Sequence, residues 1–204
     1  ASFAINNAMM AGTIGVIATG NSGPNRGTMG TPSTARLGIA VGNTTNPETV
    51  YSAEVAVQAD GFNYQERVQL MATTFGQDIH EQLTGEYDIV AVPGFGTEAD
   101  FEKVDVKGKV ALISRGELAF VDKIANAKDA GAVATIIHNF KDGSNAPGIS
   151  DVFLGDAFEF LPSFDMSQTD GEKIRKAIGD GKGTITFTNI EHNQSSGNEV
   201  NDSS

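Results

Sequence analysis

The segment Gly20-Asn21-Ser22-Gly23-Pro24 carries the residues best suited to chemistry in this chain. It follows an apolar run, Ile14 to Ala18, and leads through Thr28-Met29-Gly30-Thr31-Pro32 into a second apolar run, Leu37 to Val41. A carboxamide both donates and accepts hydrogen bonds, so Asn21 at the end of a strand could serve a reacting group or satisfy its own loop. For the Gly-Asn pair alone, a loop asparagine at an unusual backbone angle is the plainer reading. The loop is long and punctuated by Gly20, Gly23, Pro24, Gly27, Gly30 and Pro32. Loops of that length in compact domains tend to be functional.

Other chemistry-bearing residues lack the spacing their chemistry needs. His80, His138 and His192 lie far apart, and none has a partner at a metal-binding interval such as HxxxH. The run Gly179-Asp180-Gly181-Lys182-Gly183-Thr184 lacks the Gly-Lys-Thr/Ser order of a phosphate loop and sits between a helix and a strand, the reverse of what that loop requires. Asp142, Asp151, Asp156 and Glu159 flank one loop region and could share a cation, although a solvated acidic rim accounts for them as well. No metal site and no cofactor are therefore expected, with weak calcium binding the one alternative left open.

The elements that must position Asn21 fall into two textures. Residues 2 to 11 show helical spacing of Phe3, Ala4, Ala8, Met9 and Ala11, with Gly12 as a stop. Ile14–Ala18 and Leu37–Val41 read as strands, the first buried on both faces. After the turn-rich Gly42–Glu48 the pattern changes. Tyr51–Gln58 and Glu66–Thr74 alternate apolar and polar residues. Tyr87–Val92, Val110–Ser114, Ala132–Ile137, Leu161–Met166 and Gly183–Asn189 are further predicted strands, and 119–130 and 169–178 predicted helices. The spacing predicts an α+β fold: a β-sandwich or barrel with those two helices packed outside and Ala132–Ile137 central, preceded by a partial α/β segment. The expected domains are 1–46, 47–192 and a flexible tail, 193–204.

Composition limits the partners. The 204 residues are 39% hydrophobic, enough for a substantial core, and carry a net charge of −12. That excess of acid argues against nucleic acid, which needs clustered Lys and Arg. No apolar run approaches the roughly 18 residues that span a bilayer, so no membrane partner is expected. The absence of cysteine is compatible with a reducing compartment or with secretion. Ala1 carries no signal-peptide pattern, and a chain opening inside a helix is expected to be a piece of a longer protein.

The order helix, apolar strand, GNSGP, TMGTP, apolar strand resembles the part of subtilisin-like serine proteases that supplies the oxyanion-hole asparagine. The run VKGKVALISRGELAFVDKIANAKDAGAVATIIHNF, residues 106–140, resembles the core signature of the protease-associated (PA) domain, which some secreted bacterial subtilases carry inserted in the catalytic domain. The double resemblance implies that Asn21 donates to the oxyanion. It further implies that Ala18, Thr19 and Gly20 form one wall of the pocket for the residue before the scissile bond, that Gly30 forms its base, and that Thr31-Pro32 is cis. The catalytic Asp, His and Ser would lie outside this chain, which should be inactive alone. The implied partners are the remaining catalytic domain and a protein or peptide substrate, in an extracellular setting. Phe153, Phe158 and Phe160 are candidate contacts of the inserted domain. The alternative is a protein- or peptide-binding or self-association module with no part in proteolysis, since exposed strand edges seek partners.

Overall fold

The computed structural model describes residues 1–20, 22, 25–44, 49–71, 79–139, 160–179, 183–194 and 200. The chain divides into two compact units, Ala1–Glu48 with Gln194–Ser204, and Thr49–Asn193.

In the first unit, helix α1 (Ser2–Met10) precedes two short parallel strands, β1 (Val16–Ala18) and β2 (Ile39–Val41). The helix seats itself through glycine. A Cβ on Gly38 would lie 2.9 Å from Ile17 and 3.3 Å from Ile5, and one on Gly15 would lie 3.3 Å from Ile5. The packed face is therefore Ile5 and Met9: of the predicted face Met9 is kept, whereas Phe3 is 85% exposed. The expectation that Ile14–Ala18 is buried on both faces is also corrected: Ile14 and Val16 are exposed. The run has the apolar texture of an interior strand, but a two-stranded sheet has too few neighbours to cover it.

The second unit is a seven-stranded sheet. Strands β3 (Thr49–Ala59) and β4 (Phe62–Gln69) form an antiparallel hairpin. It turns at Asp60-Gly61, where Gly61 takes φ +70°. The predicted strand Glu66–Thr74 thus begins four residues earlier and ends at Gln69. The short helix α2 (Ile79–Gln82) leads to β5 (Glu86–Ala91), then come α3 (Glu98–Phe101), β6 (Val110–Ser114), α4 (Phe120–Asp129), β7 (Ala134–His138), β8 (Ser163–Met166), α5 (Gln168–Ile178) and β9 (Gly183–Gln194). The last strand reaches five residues beyond the predicted Asn189. The order is β4-β3-β9-β5-β6-β7-β8, with β5 to β8 parallel.

The two ends of this sheet meet. Leu70, just past β4, bridges Phe164 of β8, and the Met71 N–H donates to the Ser163 carbonyl at 2.7 Å. The sheet is therefore a nearly closed barrel with few unpaired edges. Side chains alternate between two cores. Val110 and Leu112 join an enclosed cluster with Val55, Val57 and Ile136, while Ala111 and Ile113 join a second cluster with Ile124 and Ala127 of α4. All five residues of β7 are buried, as its continuous apolar run predicts.

The two helices flank the sheet as expected, and they lie on opposite faces of it: α4 packs on the cluster with Ala111 and Ile113. Ile174 and Ile178 of α5 belong to the enclosed cluster. Its sequence allows this close approach at Gly171, where an added Cβ would lie 2.2 Å from His138 Cβ. Replacing a helical glycine with alanine ordinarily gains about 1 kcal/mol. Here the overlap dominates, and Gly171→Ala should cost about 2 kcal/mol or more, read as a lower denaturation midpoint. A midpoint at or above wild type would contradict this packing.

Candidate functional site

The first site is built at the end of β1. The Thr19 N–H donates to the Val41 carbonyl at 3.0 Å, extending the β1–β2 ladder by one residue. The Thr19 carbonyl accepts from the Gly30 N–H at 3.2 Å. Those two bonds bring Ala18, Thr19, Gly20 and Gly30 together across ten residues of loop. Gly20 takes φ +97°, and a Cβ on Gly20 or Gly30 would meet nothing within 4 Å. Among the described residues, both glycines therefore border open space. The far side of the loop is pinned by the Ser33 hydroxyl donating to the Gly30 carbonyl at 2.5 Å, and the Thr31-Pro32 bond is cis. Asn21 lies outside the described residues.

A second constellation lies at the carboxyl end of β5, the end where parallel α/β sheets gather ligands. The loop Pro93–Thr97 is held by side chains that the sequence reading left without a role. Lys123 is fully buried and its ammonium donates to the Phe95 carbonyl while lying 5.6 Å from the Phe95 ring centroid. Asn126 Nδ2 donates to the Gly96 carbonyl at 2.9 Å. Asp100 Oδ2 accepts from the Phe95 and Thr97 amides at 3.3 and 3.1 Å, and Thr97 Oγ1 accepts from the Asp100 N–H at 3.2 Å. Glycine is required twice: a Cβ on Gly94 would lie 2.6 Å from Asp100 Oδ2, and one on Gly116 would lie 2.5 Å from the Phe95 ring. The signal was available, since Lys123 and Asn126 fall on the same helical stripe as Phe120, Ile124 and Ala127.

Electrostatics follow from this burial. Desolvation pulls the Lys123 ammonium down to about 8, against the raising influence of Asp100 and Glu117. Burial pushes the Asp100 carboxyl up, but hydrogen bonds from Thr97, Lys103 and the Phe95 amide outweigh it and hold the group at about 2. This cluster fixes a loop and holds no nucleophile–base pair.

Of the three phenylalanines singled out from sequence, Phe160 is half-buried against the α4-side cluster, and Phe153 and Phe158 lie outside the described residues. The acidic group Asp142, Asp151, Asp156 and Glu159 also lies outside them. Among the described residues no cluster of His, Asp and Glu could hold a metal ion, and no helix is long and apolar enough to cross a membrane. His138 is buried beside Arg175, away from any metal-like grouping.

Residues 85–174, which include the loop clamp and its helix α4, match the family described as the PA domain. The chain carries a PA domain. It is 35% identical over 189 residues to the minor extracellular protease Vpr of Bacillus subtilis, a match covering 91% of this chain and 21% of that protein. It is 31% identical over 189 residues to a PII-type proteinase of Lactococcus lactis, covering 84% of this chain and 10% of that protein. It is 34% identical over 129 residues to aminopeptidase YwaD of Bacillus subtilis, covering 58% of this chain and 27% of that protein. The chain thus spans at most about a quarter of these relatives' length.

The PA-domain clamp makes a pH-dependent prediction. Asp100→Asn should cost roughly 2 kcal/mol near neutral pH, because bonds to a charged acceptor are lost. The folded carboxyl titrates at about 2 and the free one at 3.8, so its stabilisation is complete above the higher value and fades as pH falls between them. The gap in denaturation midpoint between wild type and variant should therefore narrow below about pH 4. A gap independent of pH would show that the carboxylate charge does not hold the loop.

Proposed function

We propose that this chain is the part of a secreted subtilisin-like serine endopeptidase that contains the oxyanion-hole segment and an inserted PA domain. In this reading Asn21 steadies the developing oxyanion, Ala18, Thr19 and Gly20 line one wall of the substrate pocket, and Gly30 forms its base. The PA domain governs which substrates reach the cleft.

One observation carries the proposal. The 189 residues aligned with protease Vpr exceed Thr49–Asn193 and the C-terminal tail combined, so the likeness must extend into Ala1–Glu48. The match to aminopeptidase YwaD, at 129 residues, is short enough to lie wholly within the PA-domain unit. The open space beside Gly20 and Gly30 supports the pocket assignment, because a substrate backbone needs neighbours without side chains. The exposed Val16, Ile39 and Val41 support a requirement for further strands from the rest of the protease. Those same side chains favour self-association when the chain stands alone.

Three experiments test this reading. The 204-residue chain should neither hydrolyse casein nor react with a fluorophosphonate, and labelling of any of its serines would overturn the division of labour. In the longer protein, Asn21→Ala should lower kcat on the order of 10²–10³-fold while KM changes little. Deleting residues 50–191 from that protein should alter turnover of large proteins more than of small peptides; an equal effect on both would remove the gating role.

A further inference from the structure

Arg175 presents an unusual arrangement: a largely buried cation whose bonds go to carbonyls and an imidazole. Its Nη1 donates to the Val92 carbonyl at 2.6 Å and its Nη2 to the Leu112 carbonyl at 3.3 Å. The third partner is His138 Nε2, at 3.2 Å from Nη2 and 3.4 Å from Nε. One guanidinium on α5 therefore ties that helix to the residue after β5, the middle of β6 and the last residue of β7.

The hydrogen-bond directions fix the protonation state of the ring. His138 Nδ1 lies 2.7 Å from the Asn139 carbonyl, which can only accept, so Nδ1 carries the proton. A guanidinium can only donate, so Nε2 must be the bare, accepting nitrogen. The ring is neutral as long as the contact exists. We propose that the His138–Arg175 pair is an acid-operated latch: a proton arriving from solvent on Nε2 occupies the lone pair that receives Arg175, sets two cations face to face, and frees α5 from the sheet.

The surroundings decide the direction. The charged groups acting on His138 are Arg175, which opposes protonation, and the exposed Glu172, which favours it; both lie on α5. Asp165 of the adjacent strand β8 pairs with Ile137, whose side chain belongs to the opposite cluster, so strand alternation turns it away from the ring. Desolvation is the largest influence and Arg175 adds to it, and against the raising hydrogen bond to the Asn139 carbonyl and Glu172 they pull the imidazole from 6.5 down to about 4. A histidine lowered in this way contributes stability that is complete above the unfolded value and lost as pH falls toward the folded one. Gly171 explains why the helix sits close enough to seal the pair from water.

Two measurements on the full 204-residue chain test the latch. Ring-nitrogen chemical shifts at about pH 7 should show His138 as the neutral Nδ1–H tautomer, and an Nε2–H or doubly protonated ring would overturn the proposal without any variant. Hydrogen exchange, corrected for intrinsic rates, should then show α5 losing about a hundredfold in protection relative to α4 between about pH 7 and pH 4. His138→Gln, which offers an acceptor and does not titrate, should abolish that loss. An equal change in α4 and α5, or a loss that persists in the variant, would overturn it.

Discussion

The closure of one sheet underlies most of this molecule. A seven-stranded sheet left open would present unpaired backbone groups at both edges, each a template for another chain. Here the Met71 amide reaches the Ser163 carbonyl and Leu70 bridges Phe164, so the end strands satisfy each other. Closure creates an inside, and the alternation of Val110, Ala111, Leu112 and Ile113 then divides the apolar residues between an enclosed core and an outer one covered by α4. A domain that satisfies its own backbone can sit within another protein without borrowing strands from it, which suits a module found in proteins of different activity.

Ala1–Glu48 follows the opposite logic. Its two parallel strands and one helix present Ile14, Val16, Ile39 and Val41 to solvent. Parallel strands normally lie in sheets covered on both faces. The unit nevertheless joins Thr19 to Val41 and to Gly30 by backbone hydrogen bonds, and among the described residues it leaves open space beside two glycines.

Much of the PA-domain fold was legible because its strongest signals are local. Val110–Ser114 and Ala134–His138 are short apolar runs next to a helix with one apolar stripe, and such runs have few alternatives. The hairpin was harder to place. Asn63, Gln65, Glu66 and Arg67 face solvent and dilute the pattern, so periodicity starts the strand at Glu66 although the Asp60-Gly61 turn marks its start at Phe62. Neither the buried Lys123 nor the partly buried Arg175 was legible as an interior residue, because a charge reads as surface until the fold supplies carbonyls to receive it. The exposure of Val16 was missed for the converse reason: an apolar run states what a strand needs, whereas whether it is covered depends on neighbours elsewhere.

Native-state hydrogen exchange on the 204-residue chain tests the central claim most directly, which is that the barrel is closed and self-sufficient while the first unit leaves its strands uncovered. The Met71 amide, which donates across the seam, should exchange only by global unfolding, as slowly as amides in β6. The Ile39 amide, which donates to the Gly15 carbonyl at 2.9 Å, should exchange orders of magnitude faster. A Met71 amide as labile as that of Ile39 would mean an open sheet and would contradict the account.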